Sequence, residues 1–367
     1  MQRQRIVVKL GTSALTVDTP RLNRQRMLEI VQQCAQVHQQ GHEIIIVSSG
    51  AQAAGRERLN FPDFGRTVPA KQMLCAVGQS QLMRLYSELF DIFNIVVGQV
   101  LFTRDDLSQR ARYINARDTL ETLLDHRIIP IINENDTIAT SEIRVGDNDN
   151  LSAMTASILE AHLLIILTDQ PGIFTADPRQ NTDAQLIDRI TRIDDAAYKL
   201  AGGAGSQTGT GGMVTKIEAA HTASRSGVAT VIAFGGEPNA ILRIVNGEQI
   251  GTRIEPVNTI LESKKRWILT DRVQGSLHID EGAARMLIKG GASLLPVGVT
   301  RVEQVFDRGA TLAILAPNGA EIAHGLSNYA SSELTQICGV KSSKIVEILG
   351  YSYGDHAIHR NNMVILV

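Results

Sequence analysis

The chain has 367 residues, 43% hydrophobic, 20% charged and only 4% aromatic, with a formal net charge of −2. That length suits two domains with sizeable cores, and the balance excludes a disordered, collagen-like or strongly basic chain. No apolar run reaches the roughly 18 residues that span a bilayer, so no membrane-spanning helix is expected.

The first residues, MQRQRIVVKLGTSAL, enter a strand-like run directly, without the apolar core of a secretory signal. Three cysteines, Cys34, Cys75 and Cys338, are widely spaced and odd in number, which predicts reduced thiols and a cytoplasmic location. RIVVKL opens a series of short β-branched runs, continued by HEIIIVSS, IVVGQVLF, RIIPIIN, HLLIILTD and ATVIAFG. Between them lie amphipathic segments of helix length: RQRMLEIVQQCAQVHQQ, PAKQMLCAVGQSQLMRLYSELF and MVTKIEAAHTASRSG. Apolar strands alternating with such helices predict an α/β fold, a mostly parallel sheet sandwiched by helices. Several runs end in small or polar residues: KLGTS, VSSGA, INEND and LTDQPG. In open α/β sheets ligands bind at the carboxyl ends of the strands.

About ten residues beyond INEND comes VGDNDNLSA, which crowds Asp147, Asn148, Asp149 and Asn150 ahead of a helix-like run from Leu151. A helix start needs one such residue as its N-cap, and Asn150, next to the run, is expected in that role. The others are in excess of what a helix start requires. The pattern changes near residue 255. A charged cluster, Lys264 to Arg266, precedes the only tryptophan, Trp267, and short glycine-broken segments follow. The expected domains are therefore residues 1–256, a solvated linker at 257–272, and a small β-rich domain at 273–367, closed as a barrel. No repeat of 20–50 residues is present. His356 and His359 lack the supporting ligands of a metal site.

Four stretches carry more polar and glycine content than structure requires. Lys9 ends a buried strand, where a lysine must reach solvent or meet an anion, and Gly11, Thr12 and Ser13 follow it. Ser48-Ser49-Gly50-Ala51 repeats that arrangement one strand later. Thr208 to Lys216 combines glycines, hydroxyls and a lysine ahead of an amphipathic helix, the parts of a phosphate site. It matches neither GxxxxGK[ST] nor GxGxxG. The fourth stretch is VGDNDNLSA with Asn133-Glu134-Asn135-Asp136 upstream. Two lysines from distant loops suit phosphoryl transfer, which needs positioning and charge stabilisation rather than a covalent nucleophile. No Ser–His–Asp or Cys–His arrangement competes for the role.

VVKLGTS, VSSGA, INEND, VGDNDNLSA, LTDQPGIFTADPR and TGTGGMVTK occur in the order and spacing of the amino-acid kinase family, which the chain resembles over nearly its whole length. GDNDN and TGTGGMVTK resemble the glutamate-phosphorylating branch of that family, and the C-terminal part, including GYSYG, is similar to a PUA domain. The resemblance implies phosphorylation of the γ-carboxylate of L-glutamate by ATP with Mg²⁺, the first step of proline biosynthesis. It makes Lys9 and Lys216 the pair that stabilises the phosphoryl group, organised by Asp149 with Asp147 beside it. Ser49, Asp136 and Asn148 then bind L-glutamate. Lys9, Thr168 and Asp169 meet the nucleotide together with Thr210, Gly211, Gly212, Met213, Val214, Thr215 and Lys216. No ligand set for Mg²⁺ follows; the aspartates of GDNDN either fix the two ammonium groups or help hold the ion. Feedback inhibition by proline and a homo-oligomer, dimer or tetramer, are also implied. Of the three glutamate contacts only Asp136 carries negative charge, so it is expected to pair with the α-ammonium.

Two other readings differ in class. A sister kinase acting on N-acetylglutamate, aspartate or a nucleoside monophosphate would share the lysine and glycine loops but lack GDNDN and the PUA-like tail. An RNA-binding protein would account for the tail. The net charge and the scarcity of aromatics argue against a nucleic-acid partner.

Overall fold

Continuous Val, Ile and Leu runs, apolar at every position rather than at alternate ones, can be buried only as interior strands covered on both faces. In the computed structural model, which describes residues 3–17, 19–61, 63–65, 67–139, 148–178, 180–200 and 212–367, they are. In chain order the elements begin β1 (Arg5–Leu10), α1 (Thr12–Thr16), α2 (Arg24–Gln39), β2 (Glu43–Ser48), α3 (Ala51–Arg58) and α4 (Val68–Asp91). They continue as β3 (Val97–Phe102), α5 (Arg104–Ser108), α6 (Arg110–Asp125), β4 (Ile129–Glu134), α7 (Asn148–Ile158) and β5 (Leu163–Thr168). Then come β6 (Arg189–Ile190), α8 (Asp195–Leu200), α9 (Gly212–Arg225), β7 (Ala229–Phe234), α10 (Ala240–Val245) and β8 (Thr252–Ile254).

These strands form an eight-stranded sheet in the order β3-β4-β2-β1-β5-β7-β8-β6. All neighbours are parallel except β7 and β8. Every residue of β2, β4 and β5 is buried. One face of β1, carrying Ile6, Val8 and Leu10, packs with α2 (Met27, Ile30, Cys34), α4 (Leu82, Tyr86) and α10 (Ile241, Ile244). The alternate face, with Val7 and Lys9, belongs to the side on which α7 packs against β1, β2, β4 and β5. The chain adds β2, β3 and β4 on one side of β1 and returns to place β5 on the other. That reversal brings the carboxyl ends of β4, β2, β1 and β5 side by side.

The helix expected from Leu151 starts three residues earlier, at Asn148. Asn150 is therefore the third residue of α7 and not its cap, which corrects the capping role. Partners buried around Asn148 and Asp149 hold these polar residues inside the first turn, against a sequence preference that would place them before it.

The chain divides into two compact units, Met1–Ser108 with Ala116–Ile260, and Gln109–Asn115 with Leu261–Val367. The elements after β8 are α11 (Ile260–Thr270), β9 (Gly275–Ile279), α12 (Glu281–Gly290), β10 (Val299–Glu303) and β11 (Thr311–Leu315). β12 (Glu321–Leu326), α13 (Ser331–Ile337), α14 (Ile345–Leu349) and β13 (Met363–Ile365) complete the chain. The stretch expected as a linker thus contains an eleven-residue helix, α11, with Lys264, Lys265 and Arg266 at its middle. The second sheet has the order β10-β9-β11-β12-β13, parallel only between β9 and β11. Among the described residues no ladder joins β10 to β13. Leu277, Leu312, Tyr329, Leu334 and Ile345 are fully buried in its core.

Candidate active site

Three elements deliver one charged cluster. Lys9 is the next-to-last residue of β1, Asp149 lies in the first turn of α7 and Lys216 in the first turns of α9. Lys9 Nζ stands 2.5 Å from Asp149 Oδ1, and Lys216 Nζ donates to Oδ2 at 3.2 Å. Thr215 Oγ1 donates to the same Oδ2 at 2.7 Å. Lys216 Nζ also donates to the Gly212 carbonyl at 2.8 Å. All three charged residues are buried, Asp149 at 2% exposure, Lys9 at 5% and Lys216 at 8%. Two buried ammonium groups therefore share one buried carboxylate. A surplus of buried positive charge is expensive unless an anion completes it.

The charges act on one another. Burial alone would raise the Asp149 carboxyl pKa, but the two lysines and the Lys9 and Thr215 hydrogen bonds outweigh it and hold the group below its ordinary value. Burial lowers the Lys9 pKa, with Lys216 adding to the effect and Asp149 opposing it. Asp169 is exposed and acts on Lys9 only through its field.

Beside this cluster lies a network of neutral polar groups. Asn148 Nδ2 reaches Ser49 Oγ at 3.0 Å, Asn133 Oδ1 at 3.0 Å and the Ser48 carbonyl at 3.3 Å. Ser48 is in turn fixed by Tyr86, their hydroxyls 2.7 Å apart. The Ser49-Gly50 turn works because Gly50 has φ 105°, a left-handed conformation in which a side chain is strained. Asp136 sits just past β4. The Cys75 thiol on α4 acts on its carboxyl, and no cation pairs with it among the described residues. Burial raises its pKa, with the Cys75 thiol opposing.

The remaining expected residues divide. Thr168 closes β5 and donates to Asp169 Oδ1 at 2.9 Å. Gly212, Met213 and Val214 open the first turn of α9, the last two half-buried. The Thr215 hydroxyl is turned to Asp149 and so braces the charged cluster. Asp147, Thr210 and Gly211 lie outside the described residues. Sequence reasoning quoted Asn133 without giving it a role and passed over Gln79, whose Oε1 accepts from Asn133 Nδ2 at 2.8 Å. A glutamine within an amphipathic helix carries no sequence signal of its own.

The profile of the amino acid kinase family matches residues 4–234, and that of the PUA domain matches residues 275–349. A glutamate 5-kinase of Herpetosiphon aurantiacus is 54% identical over 361 residues, covering 98% of each chain. Glutamate 5-kinases of Sodalis glossinidius and Deinococcus radiodurans are each 50% identical over 362 residues, covering 99% of this chain and 99% and 100% of theirs. With two lysines converging on one aspartate at the carboxyl ends of a parallel sheet, and with likeness of this extent along both units, the chain belongs to the amino acid kinase family, in the group of the glutamate 5-kinases.

Proposed function

We propose that this chain transfers the γ-phosphoryl group of ATP to the γ-carboxylate of L-glutamate, giving ADP and L-glutamyl 5-phosphate, the first step of proline biosynthesis. The observation that carries the reading is the pair of buried ammonium groups on Asp149, next to a polar network fit for a small amino acid. A γ-carboxylate oxygen forms the new bond to the γ-phosphorus. The bond from that phosphorus to the oxygen bridging to the β-phosphorus breaks, and ADP departs with the electron pair. The attacking carboxylate is already ionised at pH 7, so no general base is required. Lys9 and Lys216 supply positive charge to the phosphoryl oxygens as it passes between donor and acceptor, and Asp149 keeps both in place.

The glutamate site is assigned to Ser49, Asn148 and Asp136, the last as the anionic partner of the α-ammonium. The nucleotide is assigned to Thr168, Asp169 and the segment Thr210–Lys216, whose α9 amide groups and helix dipole favour phosphate. Among the described residues no group of three or more His, Cys, Asp or Glu side chains could hold a metal ion. Mg²⁺ enters in this proposal as Mg·ATP, held chiefly by the phosphates. Feedback inhibition by proline and a dimer or tetramer are proposed on the family resemblance alone. A cytoplasmic location is proposed from three free thiols, Cys34, Cys75 and Cys338. No helix among the described residues is long and apolar enough to cross a membrane.

ADP release measured with L-glutamate, N-acetylglutamate, aspartate and UMP in turn tests the reading. Release with L-glutamate and with none of the others is the expected result. Activity on aspartate or UMP with silence on glutamate would overturn it.

A further inference from the structure

Three side-chain amides form a chain across the end of the sheet: Gln79 on α4, Asn133 in β4 and Asn148 at the start of α7. Asn148 Nδ2 donates to Asn133 Oδ1 at 3.0 Å, and Asn133 Nδ2 donates to Gln79 Oε1 at 2.8 Å. An amide can be turned end for end, so the polarity of such a chain needs an anchor. The backbone supplies two. The Glu134 N–H donates to Asn133 Oδ1 at 2.9 Å, which requires an oxygen there. The Ser48 carbonyl accepts from Asn148 Nδ2 at 3.3 Å, which requires a nitrogen there. With Asn133 fixed, its Nδ2 must face the oxygen of Gln79.

Two atoms are left over, and they are complementary. Gln79 Nε2 is a buried donor and Asn148 Oδ1 a buried acceptor, and neither has a hydrogen-bond partner among the described residues. Buried polar atoms are ordinarily paired, so two exceptions at opposite ends of one locked chain call for a ligand. The same stripe of α4 borders the proposed amino-acid site. Cys75, one turn before Gln79, acts on the Asp136 carboxyl, and Gln72 Nε2 donates to the Ala139 and Thr137 carbonyls at 3.1 and 3.3 Å. Residues 72, 75 and 79 share one helix face. That face carries the free amide donor and binds the backbone just after the carboxylate that would take an ammonium.

We propose that Gln79 is a specificity residue of this site, its Nε2–H donating to the α-carboxylate of the bound amino acid while Asp136 and Asn148 Oδ1 receive the α-ammonium. The inference rests on the glutamate reading and deepens it. It makes the site selective for a zwitterionic amino acid by one donor, Gln79 Nε2, and two acceptors, Asp136 and Asn148 Oδ1. Asn133 is the positioning residue, because it orients both neighbours and contributes no free atom.

The test pairs two variants with two substrates. Gln79→Glu keeps an oxygen for Asn133 and removes the amide donor; Gln79→Met removes both. 4-Aminobutyrate is glutamate without the α-carboxylate, so it has nothing for Gln79 to hold. For each protein kcat/KM is measured with L-glutamate and 4-aminobutyrate, or the inhibition constant of 4-aminobutyrate against glutamate where turnover is too slow. The ATP KM and the melting temperature are recorded alongside. Both variants are expected to lose about 10–100-fold in glutamate kcat/KM, mainly through KM, while 4-aminobutyrate and ATP move less than about threefold. Equal losses on both substrates, or an unchanged glutamate KM, would overturn the inference and leave Gln79 as packing support for Asn133. Wild-type protein that released no ADP with glutamate would be a different result, and would overturn the activity on which the inference stands.

Discussion

Asp149 takes Lys9 on one carboxylate oxygen and Lys216 with Thr215 on the other, so its removal releases both cations at once. Lys9→Ala and Lys216→Ala are each expected to lower kcat by roughly 10²–10³ with much smaller changes in glutamate KM, the cost of losing a preorganised charge-stabilising donor. Steady-state kinetics on the two variants checks this, and near-normal kcat in either would strip that lysine of its role. Asp149→Asn tests the electrostatics by pH. Lys9 must be protonated to act, so kcat falls as pH rises through its pKa, which burial and Lys216 set below the ordinary 10.5 against the opposition of Asp149. Without the carboxylate that pKa drops further, and the alkaline limb of the kcat–pH profile moves to lower pH. An unmoved limb would mean that Lys9 does not titrate in the reaction. These three residues were legible in the sequence because each lies at the end of an apolar run or just ahead of a helix, in a stretch with polar or glycine content that packing does not need. Gln79 and Asn133 were not, because their meaning lies in hydrogen bonds that join residues 54 positions apart.

At the level of elements, α3 and α4 meet backbone to backbone. A Cβ on Gly78 would lie 1.7 Å from the Ala51 carbonyl oxygen, and one on Gly55 would lie 1.9 Å from that of Leu74. Ala51 follows the Ser49-Gly50 turn directly, and Gly78 precedes Gln79. Gly78→Ala must therefore push α3 and α4 apart and disturb both sides of the amino-acid site. The expected outcome is a loss of about 1–3 kcal/mol of stability in denaturant titration, with a raised glutamate KM. A variant as stable as wild type with unchanged KM would show that this contact does not set the site. The long strands were readable because most of their residues are apolar and β-branched or leucine. β6 and β8, two and three residues long, give no periodicity to read. α11 was read as a linker from its charged centre, although its apolar residues also permit a helix.

On the scale of the whole molecule, the sheet order could not be read from the chain, because adjacency of β1 with both β2 and β5 is settled by packing among many residues. What was readable was the class of fold and the edge of the sheet that would carry ligands. Every proposed site residue lies in the first compact unit. A chain ending at Asn258 is thus expected to keep glutamate-dependent ADP release, with a lower melting temperature because residues 109–115 lose the unit they belong to. Complete loss of activity in a folded truncation would place part of the site beyond residue 258. The most direct measurement adds hydroxylamine to the full-length protein with Mg·ATP and L-glutamate. An acyl phosphate made at the γ-carboxylate is captured as the γ-hydroxamate, so hydroxamate should accumulate in step with ADP. ADP release without hydroxamate would contradict phosphoryl transfer to glutamate and leave the buried lysine pair with a different acceptor.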